Sequence, residues 1–357
     1  MRGSAVAQEM SLYAECMVTI IGGGIAGTAL AGALGGEGIP ARVYESQPSV
    51  GAGAFLVLDD RAHAALTGLG VPADRLDEVA HPVDALRVEY QPHEARFGPS
   101  RGHRLYLRAE LMSVLTEFAA ATASEFHYGT AVTDVDQGVL YSGATRLPTD
   151  DVVIAADGID SLARRRIEPE RTPEYAGQIV FYGRTERAQA LRTKSTVLHF
   201  DGRIDADGRP AGAFGHFWDE GLSVWFARVT RPPLPVENIG FHPVAEWAEL
   251  IRTVAPGVSD VVDLLLAETE TVHVSNARNV PFAAAAAPRL PVILCGDADH
   301  AITPAEGVGA RDAIEDAAAL FRALSTGSSP ADAMAARRRQ IAADRNRVVP
   351  PYRRTEN

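Results

Sequence analysis

The chain has 357 residues, a formal net charge of −12 and a composition of 46% hydrophobic and 22% charged residues, an ordinary globular balance with room for about two domains. The acidic surplus argues against a nucleic-acid-binding surface and suits an enzyme. The ten histidines show no metal-ligand spacing, and the apolar run at Val18 is broken by glycines too early to span a bilayer.

Residues 1–16 carry Arg2, Glu9 and Glu15 without a sustained apolar stretch, so they read as a loose leader and neither a secretory signal nor an anchor. A cytoplasmic location is the plain expectation. Cys16 and Cys295 fall in or beside expected buried strands and read as inert thiols in a reducing compartment. Lys194 is the only lysine, a bias of composition rather than a recognition feature.

Met17 to Glu45 carries a strand, a turn, a helix and a second strand. Val18 to Ile21 is a short β-branched run, whereas Ile25, Ala29, Leu30 and Leu34 recur at helical spacing. Gly22, Gly24 and Gly27 form G-x-G-x-x-G where the period changes. Glycine suits that turn because the backbone must bend tightly, approach a pyrophosphate and let the helix pack on the strand. The helix N-terminus then offers free N–H groups to phosphate, and Glu45 ends the second strand where a carboxylate can accept from ribose hydroxyls.

After a loop holding Gly51 and Gly53, the pattern predicts a short strand and a helix ending at Gly70. Residues 83–97 alternate as a strand with Leu86, Val88 and Tyr90 on one side. A second amphipathic helix is expected from Leu105, its stripe made by Leu107, Leu111, Val114, Leu115 and Phe118. Arg108 stands in its first turn, against the helix dipole, which hints at a ligand. A small β-meander follows, then a buried strand at Val152 to Ala156 that ends in Asp157-Gly158.

Residues 177–231 are rich in aromatic strands, with hairpin turns expected at Asp201-Gly202, Asp207-Gly208 and Glu220-Gly221. Phe181, Tyr182, His199, Phe214, His216 and Trp225 are the candidate pocket residues of this sheet. His216 is also a candidate for chemistry, although which face meets a ligand is open. Helical segments follow near Trp247 to Ile251 and Val258 to Leu266. A last buried strand, Val292 to Cys295, leads into GDADHAITPAEGVG and a helix beyond Gly309. The tail helix with Arg337, Arg338 and Arg339 reads as a solvated face.

Three stretches together resemble the single-component flavoprotein monooxygenases of the aromatic-hydroxylase type. They are the glycine turn with Glu45, the D-G-x-x-S-x-x-R segment from Asp157 to Arg164, and the G-D-A-x-H-x-x-x-P-x-x-G-x-G segment from Gly296 to Gly309. The resemblance implies an α/β fold: a Rossmann-like FAD-binding domain with an interleaved mixed or antiparallel β-sheet substrate domain. Residues 17–80, 104–172 and 272–347 would form the first, and 81–103 with 173–271 the second. Gly22, Gly24 and Gly27 would face the FAD pyrophosphate, Glu45 the adenosine ribose, and Arg108 the ribityl and phosphate region. Asp297 would bond the ribityl chain, Pro304, Gly307 and Gly309 would lie along the isoalloxazine, and Asp157 and Arg164 match a motif tied to FAD and NAD(P)H. The family commonly has Gln and Asn where this chain has Val308 and Arg311, so Arg311 is a candidate for charge near the flavin or in the substrate pocket. A helix starting near Gly309 would place its positive end beside the negative charge of a reduced flavin.

The function so implied is an FAD-dependent monooxygenase using transiently bound NAD(P)H and O2 to hydroxylate a small apolar, aromatic or polycyclic substrate through a flavin C4a-hydroperoxide. No metal, nucleic-acid or membrane partner is expected, and the protein would be a monomer or homodimer. Related scaffolds also serve epoxidation and oxygen insertion beside ketones, or hold FAD structurally for a non-redox cyclisation. The Trp-x-Trp-x-x-Pro segment of flavin halogenases is absent.

Overall fold

A computed structural model describes residues 17–49, 53–185, 191–206 and 210–347. The leader, Cys16, Gly51 and the Asp207-Gly208 turn lie outside the described residues. Strand β1 (Val18–Ile21) is wholly buried, and β2 (Ala41–Tyr44) runs parallel to it with Val18 opposite Ala41. Between them α1 (Ile25–Gly36) is buried from Ile25 to Gly35, which explains its lack of charged side chains: helices pack against both of its sides.

The next stretch places β3 (Phe55–Leu58), α2 (Asp60–Gly68), α3 (Ala73–Glu78), β4 (His81–Pro82), β5 (Ala85–Gln91), β6 (Arg96–Pro99) and β7 (Arg104–Leu107) before α4 (Arg108–Ala120). The helix expected from Leu105 therefore begins at Arg108. Leu105 and Leu107 instead pair across β7 with Val57 and Phe55 of β3, because a sheet partner overrides the weak helical stripe at this end. Strand β8 (Glu125–His127) adds to the parallel sheet beyond β2, and β9 (Asp134–Asp136), β10 (Val139–Ser142) and β11 (Thr145–Arg146) form the meander. Then β12 (Val152–Ala155) pairs with the other side of β1, and α5 (Leu162–Ile167) follows.

Four long strands come next: β13 (Glu174–Thr185), β14 (Val197–Ile204), β15 (Pro210–Trp218) and β16 (Ser223–Thr230). After β17 (Gly240–Pro243), α6 (Ala248–Arg252) and α7 (Ser259–Ala267), β18 (Thr271–Asn279) completes an eight-stranded sheet of order β17-β18-β13-β16-β15-β14-β5-β6. Asp201-Gly202 lies inside β14 rather than in a turn. Its neighbours pair on both edges, β5 parallel and β15 antiparallel, and that pairing overrides the local turn signal.

The chain returns through β19 (Val292–Leu294), which sets the parallel order β19-β12-β1-β2-β8. Helices α8 (Asp297–His300), α9 (Gly309–Ser325) and α10 (Pro330–Arg347) close the described chain. The basic face of α10 is not solvated as expected: only Arg339 of its arginine triplet is exposed. Arg337 is buried with Nε 2.9 Å from Asp316, and Arg338 lies 2.6 Å from the buried Asp299. No helix among the described residues is long and apolar enough to cross a membrane.

Candidate active site

The glycine turn is shaped by contacts that leave no room for a side chain. Gly22 has φ +98°, and a Cβ there would stand 2.4 Å from the Ala156 carbonyl oxygen. Gly27 lies against the Gly22 carbonyl in the first turns of α1, whereas Gly24 has open space around it and lines a large cavity. No side chain caps α1 and no acid stands in its first turn, so its N-terminus is open to an anion from the cavity. The Glu45 carboxylate accepts from Gly23 N and Gln47 N, each at 2.7 Å. It thereby ties the end of β2 to the turn.

At the end of β12, Asp157 accepts from Ala163 N at 3.2 Å, while its Oδ1 is buried without a hydrogen-bond partner. Burial pushes this carboxyl up. Arg164, expected at a cofactor, is instead fully enclosed: Nε, Nη1 and Nη2 donate to the carbonyls of Arg171, Ala298 and Ile159 at 3.0, 2.7 and 2.5 Å. Its donors cross-link the Asp157 loop to the segment after β19, because buried carbonyls at two loop ends need partners that neither sheet supplies.

Asp297, Pro304, Gly307 and Gly309 all line the cavity. Asp297 is open to the cleft yet enclosed by protein on its other sides, and this desolvation raises its carboxyl against the pull of His300 and Arg108. Arg108 also lines the cavity, and its guanidinium has no ion pair or hydrogen-bond partner among the described residues. Helix α9 begins without a side-chain cap, so its bare N–H groups and positive dipole end stand at the same cavity. Beneath, Asp316 accepts from Gly296 N at 3.0 Å, His300 Nε2 at 2.5 Å and Arg337 Nε at 2.9 Å. Burial would depress His300, but Asp316 outweighs it and raises the imidazole. Arg311 reaches the cavity lining but is not a free charge: it pairs with Asp312 at 3.0 Å and with Asp59, the N-cap of α2, at 3.2 Å.

The cavity, about 1540 Å³ in volume, runs from Gly24 and Asp297 to the eight-stranded sheet. Of the six expected pocket residues only Tyr182 lines it. Phe181, Phe214 and Trp225 point to the opposite face, where they pack with Ile251, Val262 and Leu265 of α6 and α7. His199 and His216 are buried on that face as well, stacked with ring centroids 4.5 Å apart. Burial pushes His216 down to about 3, and its Nε2 sits 3.0 Å from the Thr193 hydroxyl. Neither histidine lines the cavity, so His216 is a structural group here. The sheet is covered on both sides, so both faces are apolar and aromatic content could not distinguish them.

The cavity wall comes from the alternate residues: Val180, Leu198, Phe200, Phe226 and Arg228, with Leu86, Val88 and Tyr90 of β5. The alternation of β5 was legible in the sequence; the rest needed the cross-strand register. Phe55 meets Tyr182 edge-on at 5.7 Å and lies 6.3 Å from Phe226, which in turn is 5.6 Å from Phe200. These rings make an aromatic cage at the sheet. Burial pushes the Tyr182 phenol up to about 12 and lowers the His273 imidazole beside it, so both are neutral near pH 7.

No family model matches the chain. It is similar to a kynurenine 3-monooxygenase of Salinispora tropica, 27% identical over 89% of this chain and 75% of that protein. A 3-amino-4-hydroxybenzoate 2-monooxygenase of Streptomyces cremeus is 27% identical over 87% of this chain and 79% of its own length. Among solved structures, Klebsiella pneumoniae HpxO complexed with FAD and uric acid superposes with a TM-score of 0.72 at 21% identity, covering 92% of this chain and 85% of that one.

Proposed function

We propose that this chain, which belongs with the FAD-dependent monooxygenases of the aromatic-hydroxylase type, uses FAD, a reduced nicotinamide and dioxygen to hydroxylate a small aromatic molecule held against the eight-stranded sheet. The observation that carries the reading is the continuity of the cavity. It joins the glycine turn to the aromatic cage in one space of about 1540 Å³, more than the roughly 300–1,000 Å³ of a pocket for one drug-sized ligand. A dinucleotide and a substrate have room together.

The residues present fit that cofactor. The uncapped start of α1 and the unpartnered Arg108 guanidinium suit its phosphates. Asp297, facing the cleft with no hydrogen-bond partner among the described residues, suits its ribityl hydroxyls. Glycine at 307, with open space around it, and Pro304 leave a smooth surface for a flat ring. When bound, FAD supplies the redox chemistry, accepting two electrons from the nicotinamide and activating dioxygen so that one oxygen atom enters the substrate. The chain's own contribution is positioning and electrostatics. The N-terminus of α9 directs its dipole at negative charge in the cleft. Phe55, Tyr182 and Phe226 orient a planar substrate and exclude water, and Tyr182 keeps its proton and can donate a hydrogen bond to it. A single dinucleotide turn serves FAD, so the nicotinamide binds transiently.

The test is nicotinamide oxidation by the purified protein under air, with a panel of aromatic compounds and mass analysis of products. Substrate-stimulated oxidation with a product heavier by one oxygen is expected. A protein that retains no FAD, or bound FAD that no nucleotide reduces, refutes the reading.

A further inference from the structure

We propose that the substrate carries an apolar extension beyond its reacting ring, laid across the sheet from the aromatic cage to β5, and that Gly215 is the specificity-determining residue that keeps the way to it open; the inference deepens the monooxygenase reading above and rests on it. One row of cross-strand neighbours carries the argument. Tyr182 pairs with Phe226, Phe226 with Gly215, Gly215 with Phe200, Phe200 with Val88, and Val88 with Arg96. Residues directly opposite in a sheet point to the same face, and Tyr182, Phe226, Phe200, Val88 and Arg96 all line the cavity.

The glycine shapes this row. A Cβ at Gly215 would stand 2.2 Å from Phe226 Cζ and 2.3 Å from Cε1, so the Phe226 ring is laid down across β15 instead of standing up into the cavity. Glycine inside a strand marks such a close approach. The ring reaches toward Phe200, with centroids 5.6 Å apart, and joins the cage to the next strand in one aromatic surface. The arrangement recurs one row along. A Cβ at Gly202 would stand 2.5 Å from Tyr90 Cε1, so the tyrosine ring also lies over a glycine, and its hydroxyl accepts from Arg228 Nη2 at 3.2 Å. Two rings lying over two glycines keep the floor formed by β14 and β15 low between the cage and β5.

That floor is longer than one ring. Neighbouring strands lie about 4.8 Å apart, so the three steps from Phe226 on β16 to Val88 on β5 cover roughly 14 Å. A ring packs against aromatic walls at centroid distances of about 4.5–7 Å, so a single ring held by Phe55, Tyr182 and Phe226 leaves the rest of the floor uncovered. Leu86, Val88 and Phe200 line that remainder and are only half-buried. Apolar surface in a cleft gains free energy when an apolar group displaces its water. The cofactor leaves this floor free, because Gly24 and Asp297, which suit FAD, stand at the other end of the cavity. Beyond β5 the lining turns charged and exposed at Glu94, Arg96 and Arg101, which confines the apolar extension to the span inside β6.

The experiment is calorimetric titration of the FAD-loaded protein with two homologous series, 4-alkylphenols and 4-alkylanilines, carrying methyl, propyl, pentyl and heptyl chains. Burying a methylene strengthens binding roughly threefold to fourfold, so in at least one series the pentyl member is expected to bind tenfold or more tightly than the methyl member, at one site per chain. In Gly215→Ala the new Cβ lifts the Phe226 ring into the passage, and the gain with chain length should shrink; a variant that is merely destabilised would weaken all members alike. Val88→Asp places a carboxylate at the far end of the floor and should penalise the heptyl member far more than the methyl member. A pentyl gain below tenfold in both series, no member binding at all, or a gradient that survives unchanged in Gly215→Ala overturns the inference. If Gly215→Ala does not fold, the wild-type series and Val88→Asp decide. Because heat is measured rather than turnover, a protein that shows the gradient yet never oxidises nicotinamide would sink the monooxygenase reading alone, and one that turns over aromatic compounds without the gradient would sink this inference alone.

Discussion

Arg164→Met separates a structural arginine from a cofactor ligand. Methionine keeps much of the stem's volume but removes the donors now held by the carbonyls of Arg171, Ala298 and Ile159. Leaving a buried acceptor unpaired costs about 1–3 kcal/mol each. Burial already weakens this guanidinium's hold on its proton, so part of that loss is offset by no longer burying a charge. The net expectation is roughly 3–5 kcal/mol, the usual cost of breaking a buried charged network. At about 2–4 °C per kcal/mol, or somewhat less for a chain of this size, melting should fall by roughly 5–15 °C. The assay is thermal melting of the FAD-free and FAD-saturated proteins, with FAD affinity measured well below either transition. Both forms should lose similar thermal stability. An unchanged melting temperature with FAD affinity reduced by an order of magnitude would refute the reasoning, since the guanidinium would then act on the cofactor and not on the two loops it bridges.

Three further outcomes follow from the same structure. In Gly22→Ala, a residue at φ +98° gains a Cβ 2.4 Å from the Ala156 carbonyl; the backbone term alone is about 1–2 kcal/mol, and the variant should purify with little flavin, so a wild-type flavin-to-protein ratio counts against it. His216, pushed down to about 3, binds fewer protons folded than unfolded between roughly pH 6.5 and 3. Stability is therefore lost as pH falls through that window, at up to about 1.4 kcal/mol per pH unit. His216→Asn should flatten urea-derived stability between pH 7 and 5, with His199, also lowered by burial, leaving a residual slope; equal slopes would contradict the assignment. For Asp316, burial raises the carboxyl, but His300 and Arg337 outweigh it and hold it below the ordinary range. Its contribution is present above about pH 3.9 and is lost as pH falls through its lower folded value. Asp316→Asn should cost roughly 3–5 kcal/mol at pH 7, read as a lower urea midpoint, and an unchanged midpoint would show that Gly296, His300 and Arg337 are held by other means.

Local chemistry was legible in the chain itself. Gly22, Gly24 and Gly27 between a β-branched run and a helical stripe announce a strand, turn and helix, because backbone clearance and periodicity are properties of neighbouring residues. The segments ending at Asp157 and at Asp297 could be marked in the same way, since each joins a buried apolar strand to a polar turn. Facing and partnership were decided only in three dimensions. Phe181 and Tyr182 are adjacent, yet one packs on α6 and α7 while the other enters the cavity. Both faces of the sheet carry large apolar and aromatic side chains, so the period of two does not say which face meets the cavity. Charge followed the same rule. Nothing in the sequence shows the partners of Arg164, Arg311 and Arg337, since Ala298, Asp59 and Asp316 are 134, 252 and 21 residues away. Arg228 looks no different in the sequence, and only cross-strand register shows it beside Tyr90, 138 residues distant, without a carboxylate to neutralise it. Motif and period are set by covalent neighbours; which side chain meets a ligand depends on contacts that the chain makes only by folding.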